Sequence, residues 1–394
     1  MQSNYKKLGD YIQPVNNRNK ELIDVLLLGV SIKKVLMPSI ANIIGTDMST
    51  YKLISKNQFA YGPVTSRNGD KISIALLEDH ENAMISQAYT VFEVVNENEL
   101  LPEYLMMWFR RPEFDRYARF KSHGSAREIF DWAEMCETEL PIPSLEKQQE
   151  IVKEYNVIQN RITLNNQLIT KLEETAQAIY KQWFVDFEFL DGNGKPYKSN
   201  GGEMVFCEEL EKDIPVGWRI DTFENMMDFK TGKLNSNAAV VDGEYPFFTC
   251  SSETYKTNTC SFDCEAVLLA GNNASAIYPL KYFNGKFDAY QRTYIITPKN
   301  KMISIYQIYF AIKDELEGFK GVSSGTATKF LTMKILNPIE IFVCDSNTNL
   351  LFSKYLKPFF IRKLEIEKNQ ELFYELSSIT QAKMTKVETE IIQQ

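Results

Sequence analysis

Histidine, paired cysteines and long apolar runs are scarce or missing in this chain. Only His80 and His123 occur among 394 residues, which disfavours histidine-rich metal sites and most histidine-based catalysis. The six cysteines are scattered without a Cys-x-x-Cys pair, which favours reduced cytoplasmic thiols over a zinc site. No apolar run approaches the roughly 18 residues of a membrane span, and the N-terminus lacks the apolar core of a signal peptide. We therefore expect a cytoplasmic protein with no metal site and no membrane contact.

Sequence signatures of catalysis are also missing. The chain has no Gly-x-x-x-x-Gly-Lys-Ser/Thr phosphate loop, no Gly-x-Gly-x-x-Gly fingerprint and no Gly-x-Ser-x-Gly nucleophile elbow. Asn337-Pro338-Ile339-Glu340 lacks the second proline and the aromatic residue of the amino-methyltransferase signature. We therefore expect no catalytic residues, and a chain that positions other subunits.

Charge gives a mixed indication about nucleic acid. The net charge of −8 disfavours a simple nucleic-acid binder. Locally, residues 110–127 carry six basic side chains and two acidic ones, a modest footprint for phosphate contacts. A solvated helix face is an equally good interpretation of that stretch.

What the chain does contain is an internal repeat at a spacing of about 204 residues. Gln87-Ala88-Tyr89 recurs as Gln291-Arg292-Thr293-Tyr294 within strand-like runs, the first of them Ala83–Val95. The segment 120–127 recurs as 319–329, and each copy leads into a long helical segment. The repeat predicts two similar globular regions, each followed by a long helix.

Each globular region contains a predicted helix rich in buried aromatics. In the first region the helix spans Leu100–Phe120, and its apolar spacing places Tyr104 and Trp108 in the core. In the second region Tyr306 and Phe310 take the same places within 305–312. These side chains are predicted to be core residues.

A heptad pattern begins after Ser144, which is a plausible helix N-cap. Nine of its ten seam positions are apolar: Ile151, Tyr155, Ile158, Ile162, Asn165, Ile169, Leu172, Ala176, Ile179 and Trp183. This pattern indicates a coiled coil, in which the polar Asn165 fixes the register. Adding 204 places Asn369 at the equivalent position of the last segment. We therefore predict that the two helices pack antiparallel, with Asn165 and Asn369 close together.

Three motifs at the domain boundaries resemble those of type I restriction-modification specificity subunits. The first, 140–152, has a Leu-Pro-x-Pro strand end leading into a Gln-x-x-Ile helix. The second is the end of the central helix, 172–188, and the third is the linker that leads to Ile214-Pro215 and Gly217-Trp218. The resemblance covers essentially the whole layout of the chain.

The resemblance implies an α+β fold, with two similar mixed α/β target-recognition domains joined by two long antiparallel coiled-coil helices. The domains would span 1–143 and 214–345, the helices 144–189 and 346–394, and a linker 190–213. Each domain would read one half of a bipartite site in double-stranded DNA. The helix pair would set the spacer and dock two methylation subunits. Those subunits would bind S-adenosylmethionine and methylate adenine at N6, and restriction subunits would add ATP- and Mg-dependent cleavage. The chain itself would hold no cofactor.

The candidate DNA-contacting residues lie in loops at strand ends. They are Tyr61, Thr65, Ser66, Arg67, Asn68, Lys121, His123, Ser125 and Arg127 in the first domain, and Asn272, Asn273, Ser275, Gln291, Arg292, Lys320, Ser324, Thr326, Thr328 and Lys329 in the second. The arginines suit bidentate contacts with guanine, and the amides suit adenine. For each residue, an ordinary exposed loop position is the competing interpretation.

Two other functional classes remain open at this point. One is a two-headed coiled-coil scaffold for a protein or glycan ligand. The other is a nuclease or methyltransferase fragment, which the missing motifs disfavour.

Overall fold

The computed structural model describes residues 5–65, 71–124, 128–323, 325 and 328–386. The chain divides into two compact units. Unit 1 comprises Met1–Leu164 with Gln370–Gln394, and unit 2 comprises Asn165–Asn369. Both divisions fall inside long helices, so each unit contains one globular region and one half of each helix.

Unit 1 is built on two four-stranded sheets and a two-stranded ribbon. The sheets have strand orders β2-β9-β6-β7 and β4-β3-β8-β5, and β1 pairs with β10. The strands are β1 Tyr5–Lys7, β2 Ile12–Val15, β3 Leu27–Val30, β4 Leu36–Pro38, β5 Lys52–Ser55, β6 Phe59–Gly62, β7 Ser73–Leu76, β8 Asn82–Ile85, β9 Thr90–Val94 and β10 Glu139–Pro141. The helices are α1 Pro102–Arg110, α2 Pro112–Lys121, α3 Trp132–Cys136, the first part of α4 Leu145–Phe184 and the second part of α8 Ser346–Lys386.

Unit 2 has a six-stranded sheet of order β14-β20-β17-β19-β15-β16 and three two-stranded ribbons, β11·β12, β13·β22 and β18·β21. Its strands are β11 Met204–Cys207, β12 Lys212–Pro215, β13 Arg219–Thr222, β14 Met227–Thr231, β15 Tyr245–Phe248, β16 Thr254–Thr257, β17 Phe262–Ala270, β18 Asn272–Asn273, β19 Leu280–Ala289, β20 Thr293–Pro298, β21 Lys329–Phe330 and β22 Glu340–Val343. Its helices are the second part of α4, α5 Phe223–Met226, α6 Ile305–Val322, α7 Met333–Leu336 and the first part of α8.

The two units share one strand topology. The order β2-β9-β6-β7 of unit 1 recurs as β14-β20-β17-β19 in unit 2. The parallel pair β3·β8 recurs as β15·β19, and the ribbon β1·β10 recurs as β13·β22. In unit 1 the long hairpin is interrupted, so β5 with β6 corresponds to β17, and β7 with β8 corresponds to β19. The predicted α+β fold with two similar domains is confirmed.

The predicted core aromatics are buried. Tyr104, Trp108, Tyr306 and Phe310 all lie in the hydrophobic cores of their units. Tyr104 also donates a hydrogen bond of 3.1 Å to the carbonyl of Pro141, which ties α1 to β10.

Three predicted elements differ from the structure, and turn-forming residues explain the first two differences. The helix predicted over 100–120 is two helices, because Pro112 holds Arg111 in an extended conformation. The strand predicted over 83–95 is interrupted by a turn at Gln87-Ala88, which places Gln87 outside a strand. Gln291 likewise lies in the turn before β20. The segment predicted as a linker, 190–213, contains β11 and the start of β12, which pair as a hairpin.

The long helices α4 and α8 run antiparallel in both units. In unit 1, Glu154 lies 2.5 Å from Lys383, and Gln159 Nε2 donates to Ser377 Oγ at 2.8 Å. In unit 2, Glu173 lies 3.4 Å from Lys363, and the rings of Trp183 and Phe352 are 5.5 Å apart. In each unit, residues later in α4 contact residues earlier in α8, so the two helices are antiparallel, as predicted from the sequence.

The spacing between the two helix repeats is 201 residues, and the predicted 204 is wrong. The N-cap Ser144 of α4 corresponds to Asp345, whose carboxylate accepts from the backbone of Thr348 at 3.0 Å. The buried amide of Gln148 corresponds to that of Asn349. The seam of α8 therefore follows other residues, which are buried or half-buried: Phe352, Leu356, Phe359, Lys363, Ile366, Gln370, Phe373, Ser377, Thr380 and Met384.

This spacing corrects one of the two predicted register residues. Asn165 is buried, as expected for a seam position, but Asn369 is exposed. The residue equivalent to Asn165 is Ile366, which is buried. The pairing of two asparagines is therefore not a feature of the seam.

No helix within the described ranges is long and apolar enough to cross a membrane. All six cysteines are free thiols. Among the residues that the structure describes, His, Cys, Asp and Glu side chains form no group of three suited to a metal ion.

Candidate nucleic-acid interface

In unit 1, the residues that follow β6 meet the loop that follows α2. The backbone N–H of Thr65 donates to the carbonyl of Glu128 at 3.0 Å, and that of Phe130 donates to Pro63 at 2.9 Å. His123 and Ile129 exchange backbone hydrogen bonds of 2.9 and 3.0 Å. The bonds of Thr65 and Phe130 join two segments that lie far apart in the sequence, and both segments carry predicted DNA-contacting residues.

The same arrangement occurs in unit 2, where it forms a short ribbon. Asn272 pairs with Phe330 and Asn273 with Lys329 across β18·β21. The N–H of Leu331 donates to Gly271 at 2.9 Å, the equivalent of the bond between Phe130 and Pro63. We call this feature the paired-loop edge: residues 63–65, 71–72, 122–124 and 128–130 in unit 1, and 271–279, 290–292, 325 and 328–331 in unit 2.

Close backbone contacts make Gly271 necessary at this edge. Its N–H donates to the carbonyl of Arg292 at 2.7 Å. A Cβ at this position would lie 2.4 Å from that carbonyl oxygen and 3.0 Å from the ring of Tyr294. The hydroxyl of Tyr294 donates to Leu331 at 2.9 Å, and burial raises its pKa, so that it remains a donor. Glycine thus lets three segments converge where any side chain would separate them.

Arg292 is the most prominent polar side chain of the edge in unit 2. It is exposed, and its guanidinium carbon lies 5.7 Å from the centroid of the Phe330 ring. Stacking on a ring restricts the side chain while leaving the planar N–H fork available. A guanidinium held in this way can make the bidentate contact with guanine that the sequence predicts.

The other predicted residues of unit 2 gather around Arg292 or flank it. Gln291 is exposed, and its amide donates to Asn235 Oδ1 at 3.1 Å. Asn273 Oδ1 accepts from the N–H of Ser275 at 2.8 Å, so that this amide shapes the loop. Lys320 lies near the end of α6, paired with Glu317 at 2.6 Å. Asn272, Thr328 and Lys329 are half-buried at the edge itself, whereas Ser324 and Thr326 lie outside the described residues.

Two of the predictions for unit 1 are wrong, because the side chains are buried. Tyr61 belongs to the core, where its ring lies 6.4 Å from that of Phe130, and burial followed by the charge of Asp131 raises its pKa. Thr65 is buried too, with its hydroxyl 2.9 Å from Ser122 Oγ and 3.2 Å from the carbonyl of Glu128. Both residues support the loop instead of facing outward.

The remaining predictions for unit 1 fall at the edge or beyond the described residues. Lys121 is half-buried and His123 is exposed, and both face Glu134. The five others, Ser66, Arg67, Asn68, Ser125 and Arg127, lie outside the residues that the structure describes.

The sequence did not reveal the carboxylates at this edge. Glu128 forms an ion pair with Arg119, and Glu134 lies 3.3 Å from Lys121 and 3.8 Å from His123. Asn235 and Phe330, which hold Gln291 and Arg292, were also missed. An acidic residue a few positions after a basic run is the one signal that would have indicated the carboxylates.

Comparisons with known proteins agree with this repeated arrangement. The profile of the type I restriction modification DNA specificity domain matches residues 31–174 and again 215–372, which together make up most of the chain. The type I restriction enzyme EcoDI specificity subunit of Escherichia coli is 32% identical over 143 residues, which are 36% of this chain and 31% of that protein. The MjaIX specificity subunit of Methanocaldococcus jannaschii is 28% identical over 139 residues, 35% of this chain and 30% of that protein. These matches thus cover about a third of the relatives' length.

One solved structure has the same fold along nearly the whole chain. The S subunit of the type I restriction-modification system from M. genitalium superposes with a TM-score of 0.58 at 15% identity, covering 96% of this chain and 95% of that one. Two matched domain regions, each with its own paired-loop edge, account for the internal repeat. The chain therefore belongs to the family defined by the type I restriction modification DNA specificity domain, which it carries twice.

Proposed function

We propose that this chain is the non-catalytic DNA-recognition subunit of a type I restriction-modification complex. The observation that carries the proposal is the paired-loop edge, which occurs once in each unit and gathers polar side chains from distant segments. Two such edges suit a bipartite target, of which each unit reads one half. The family to which the chain belongs supports the same function.

The chemistry of the edge suits reading bases in the major groove. A guanidinium fork such as that of Arg292 matches the two acceptors of guanine, and exposed amides such as Gln291 match adenine. Lys320 and Lys329 are suited to phosphate contacts, which set position without reading sequence. Side chains of the edge and of the end of α6 thus provide both kinds of contact.

In this proposal the helix pair fixes the distance between the half-sites. Helices α4 and α8 contain 40 and 41 residues, and a rise of 1.5 Å per residue gives each a length of about 60 Å. A helix pair holds a spacing better than a flexible linker does. The same helices would dock two methylation subunits, which bind S-adenosylmethionine and methylate adenine at N6. Restriction subunits, with ATP and Mg, would complete the complex.

The test is selection of bound DNA from a random duplex library by the chain co-expressed with its methylation subunits. We expect enrichment of a bipartite motif with a fixed spacer, and binding that weakens as salt increases. Enrichment of a single uninterrupted motif, or binding independent of sequence, would contradict the proposal.

Arg292 gives the test its resolution. If Arg292 reads a base, Arg292→Ala should lower the discrimination between bases at one position of the motif by about 1–3 kcal/mol. Arg292→Lys should do the same, because lysine keeps the charge but lacks the planar N–H fork. Lys286→Ala is the matched control. Lys286 is exposed and lies opposite Asp263 in the β17·β19 register. Asp263 is six residues along β17 from Leu269, which lies beside the edge, so Lys286 is about 20 Å from the edge. Equal effects of the Arg292 and Lys286 variants would show that Arg292 does not read a base.

A further inference from the structure

The two paired-loop edges carry opposite charge at equivalent positions. The hydrogen bonds from Phe130 to Pro63 and from Leu331 to Gly271 align the two loops. Two residues before each donor stand Glu128 in unit 1 and Lys329 in unit 2. An acid therefore occupies the place in unit 1 that a base occupies in unit 2.

A second acid in unit 1 also has no acidic counterpart. Helix α3 begins two residues after Phe130, and α7 begins two residues after Leu331, so that Glu134 corresponds to Ile335. The alignment is supported by burial, because Met135 and Leu336, the next residues, are both completely buried. At these two aligned positions unit 1 has carboxylates and unit 2 has none. The acid that pairs with Lys320 in unit 2, Glu317, lies elsewhere, on α6, and its side chain is 83% exposed.

These two carboxylates face basic side chains of the kind that can bind DNA phosphates. Glu128 pairs with Arg119. Glu134 places one oxygen 3.3 Å from Lys121 Nζ and the other 3.8 Å from His123 Nε2. Glu134 thus directs one carboxylate oxygen to each of two basic side chains. A DNA phosphate would have to place two of its own oxygens in the same positions.

Helix α3 holds Glu134 in this position. The Asp131 side chain accepts from the N–H of Glu134 at 2.9 Å and caps the helix. The ring of Trp132 lies 5.3 Å from that of Phe92 in the sheet. The Glu134 side chain is 25% exposed, so its charge is less screened than that of a fully solvated residue.

We infer that Glu128 and Glu134 are specificity-determining residues of unit 1, which compete with DNA phosphates for Arg119, Lys121 and His123. A phosphate that approaches this edge must displace a carboxylate already bound there. Unit 1 therefore gains less from sequence-independent contacts than unit 2, and depends more on base contacts. This inference rests on the proposed function, and adds to it a difference between the two half-sites.

The test is equilibrium binding of the full chain, with its methylation subunits, to a labelled duplex of about 30 base pairs without the target motif, the size of a typical protein–DNA site. For Glu134→Gln we expect binding tighter by about threefold to tenfold near 0.1 M salt, and a salt slope steeper by about 1, as one added phosphate contact requires. Glu128→Gln should act in the same direction, and Lys329→Glu in unit 2 in the opposite one. Discrimination between target and non-target duplexes should fall in both glutamine variants.

Glu113→Gln is the matched control, because it also removes one acid and releases arginines. Glu113 pairs with Arg111 at 3.5 Å and Arg116 at 3.3 Å in the first turn of α2. It lies eight residues before Lys121, about 12 Å along the helix. If wild-type protein binds DNA but Glu134→Gln and Glu113→Gln gain equally, or neither gains, the inference is overturned while the proposed function stands. If wild-type protein binds no DNA, the proposed function fails, and this inference fails with it.

Discussion

Removing the charge of Glu173 should destabilise unit 2 and should do so in a pH-dependent way. Glu173 on α4 connects three helices: Oε1 accepts from Tyr309 at 2.8 Å and from Lys313 at 2.6 Å, and Oε2 lies 3.4 Å from Lys363. Burial alone would raise the pKa of Glu173, but Lys363, Lys313 and Tyr309 together outweigh it and lower the pKa to about 2. The ionised form is therefore favoured by the folded state.

The size of the effect follows from the difference between the two pKa values. Against an ordinary value of 4.5, a pKa of about 2 corresponds to about 3 kcal/mol at neutral pH. Because 25% of the side chain is exposed, solvent screening reduces our expectation for Glu173→Gln to about 2 kcal/mol. The folded pKa lies below the unfolded one, so this stabilisation is complete above about pH 4.5 and is lost as the pH falls toward 2.

Hydrogen exchange followed by mass spectrometry can measure this loss locally. Peptides from α6 report the free energy of opening of unit 2 without requiring the whole chain to unfold in one step. Glu174→Gln is the control, because Glu174 pairs at 2.7 Å with Lys171, and their side chains are 57% and 75% exposed. We expect the control to change the opening free energy by less than about 0.5 kcal/mol. The difference in opening free energy between wild type and Glu173→Gln should fall to about half when the pH is lowered from 7 to 3. A gap that is absent at pH 7, or that stays constant down to pH 3, would refute this reasoning.

Three further changes test other parts of the structure. Gly271→Ala should separate the segments of the paired-loop edge, because the new Cβ would lie 2.4 Å from the Arg292 carbonyl oxygen. We expect a loss of stability of about 1–3 kcal/mol, seen as weaker DNA binding and as faster hydrogen exchange of 328–331. Gln148→Ala should cost about 2–3 kcal/mol in urea unfolding of unit 1, since the buried amide makes three hydrogen bonds to the backbone. Maleimide at pH 8 should modify the exposed Cys260 quickly and Cys344 only after denaturation, because burial raises the pKa of Cys344 to about 12.

Each of these predictions has a control in the same chain. Gly321→Ala introduces a Cβ with nothing within 4 Å and should leave DNA binding unchanged. Gln149→Ala removes the exposed neighbour of Gln148 and should have little effect on stability. Equal effects of the paired variants, or rapid labelling of Cys344 in the native protein, would contradict the corresponding prediction.

The sequence predicted the fold well where periodicity and capping decide structure. The heptads from Ile151 to Trp183 predicted α4, and Ser144 was correctly placed at its N-cap. The internal repeat predicted a second unit with the same topology. These signals are local, so that they can be recognised before the tertiary structure is known.

The errors arose where one residue, or a long-range contact, overrides a local pattern. Pro112 interrupts an otherwise continuous helical pattern. The spacing of 204 was set by aligning Gln87 with Gln291, but the capped starts of α4 and α8, at Ser144 and Asp345, are 201 residues apart. Tyr61 was predicted to lie in a loop, but it belongs to β6, where its side chain lies on the face of the strand that packs into the core. Which loops meet at the edge depends on the strand pairing, which no local pattern encodes.

The matching starts of α4 and α8 show that each globular part is attached to its helix by the same kind of joint. An oxygen side chain, Ser144 or Asp345, caps the helix, and four residues later a buried amide, Gln148 or Asn349, fastens the first turn to backbone carbonyls. None of these four residues belongs to the paired-loop edge. Substitutions in those loops therefore leave the attachment untouched, and a loop carrying a new specificity can be accommodated without rebuilding the rod that carries it.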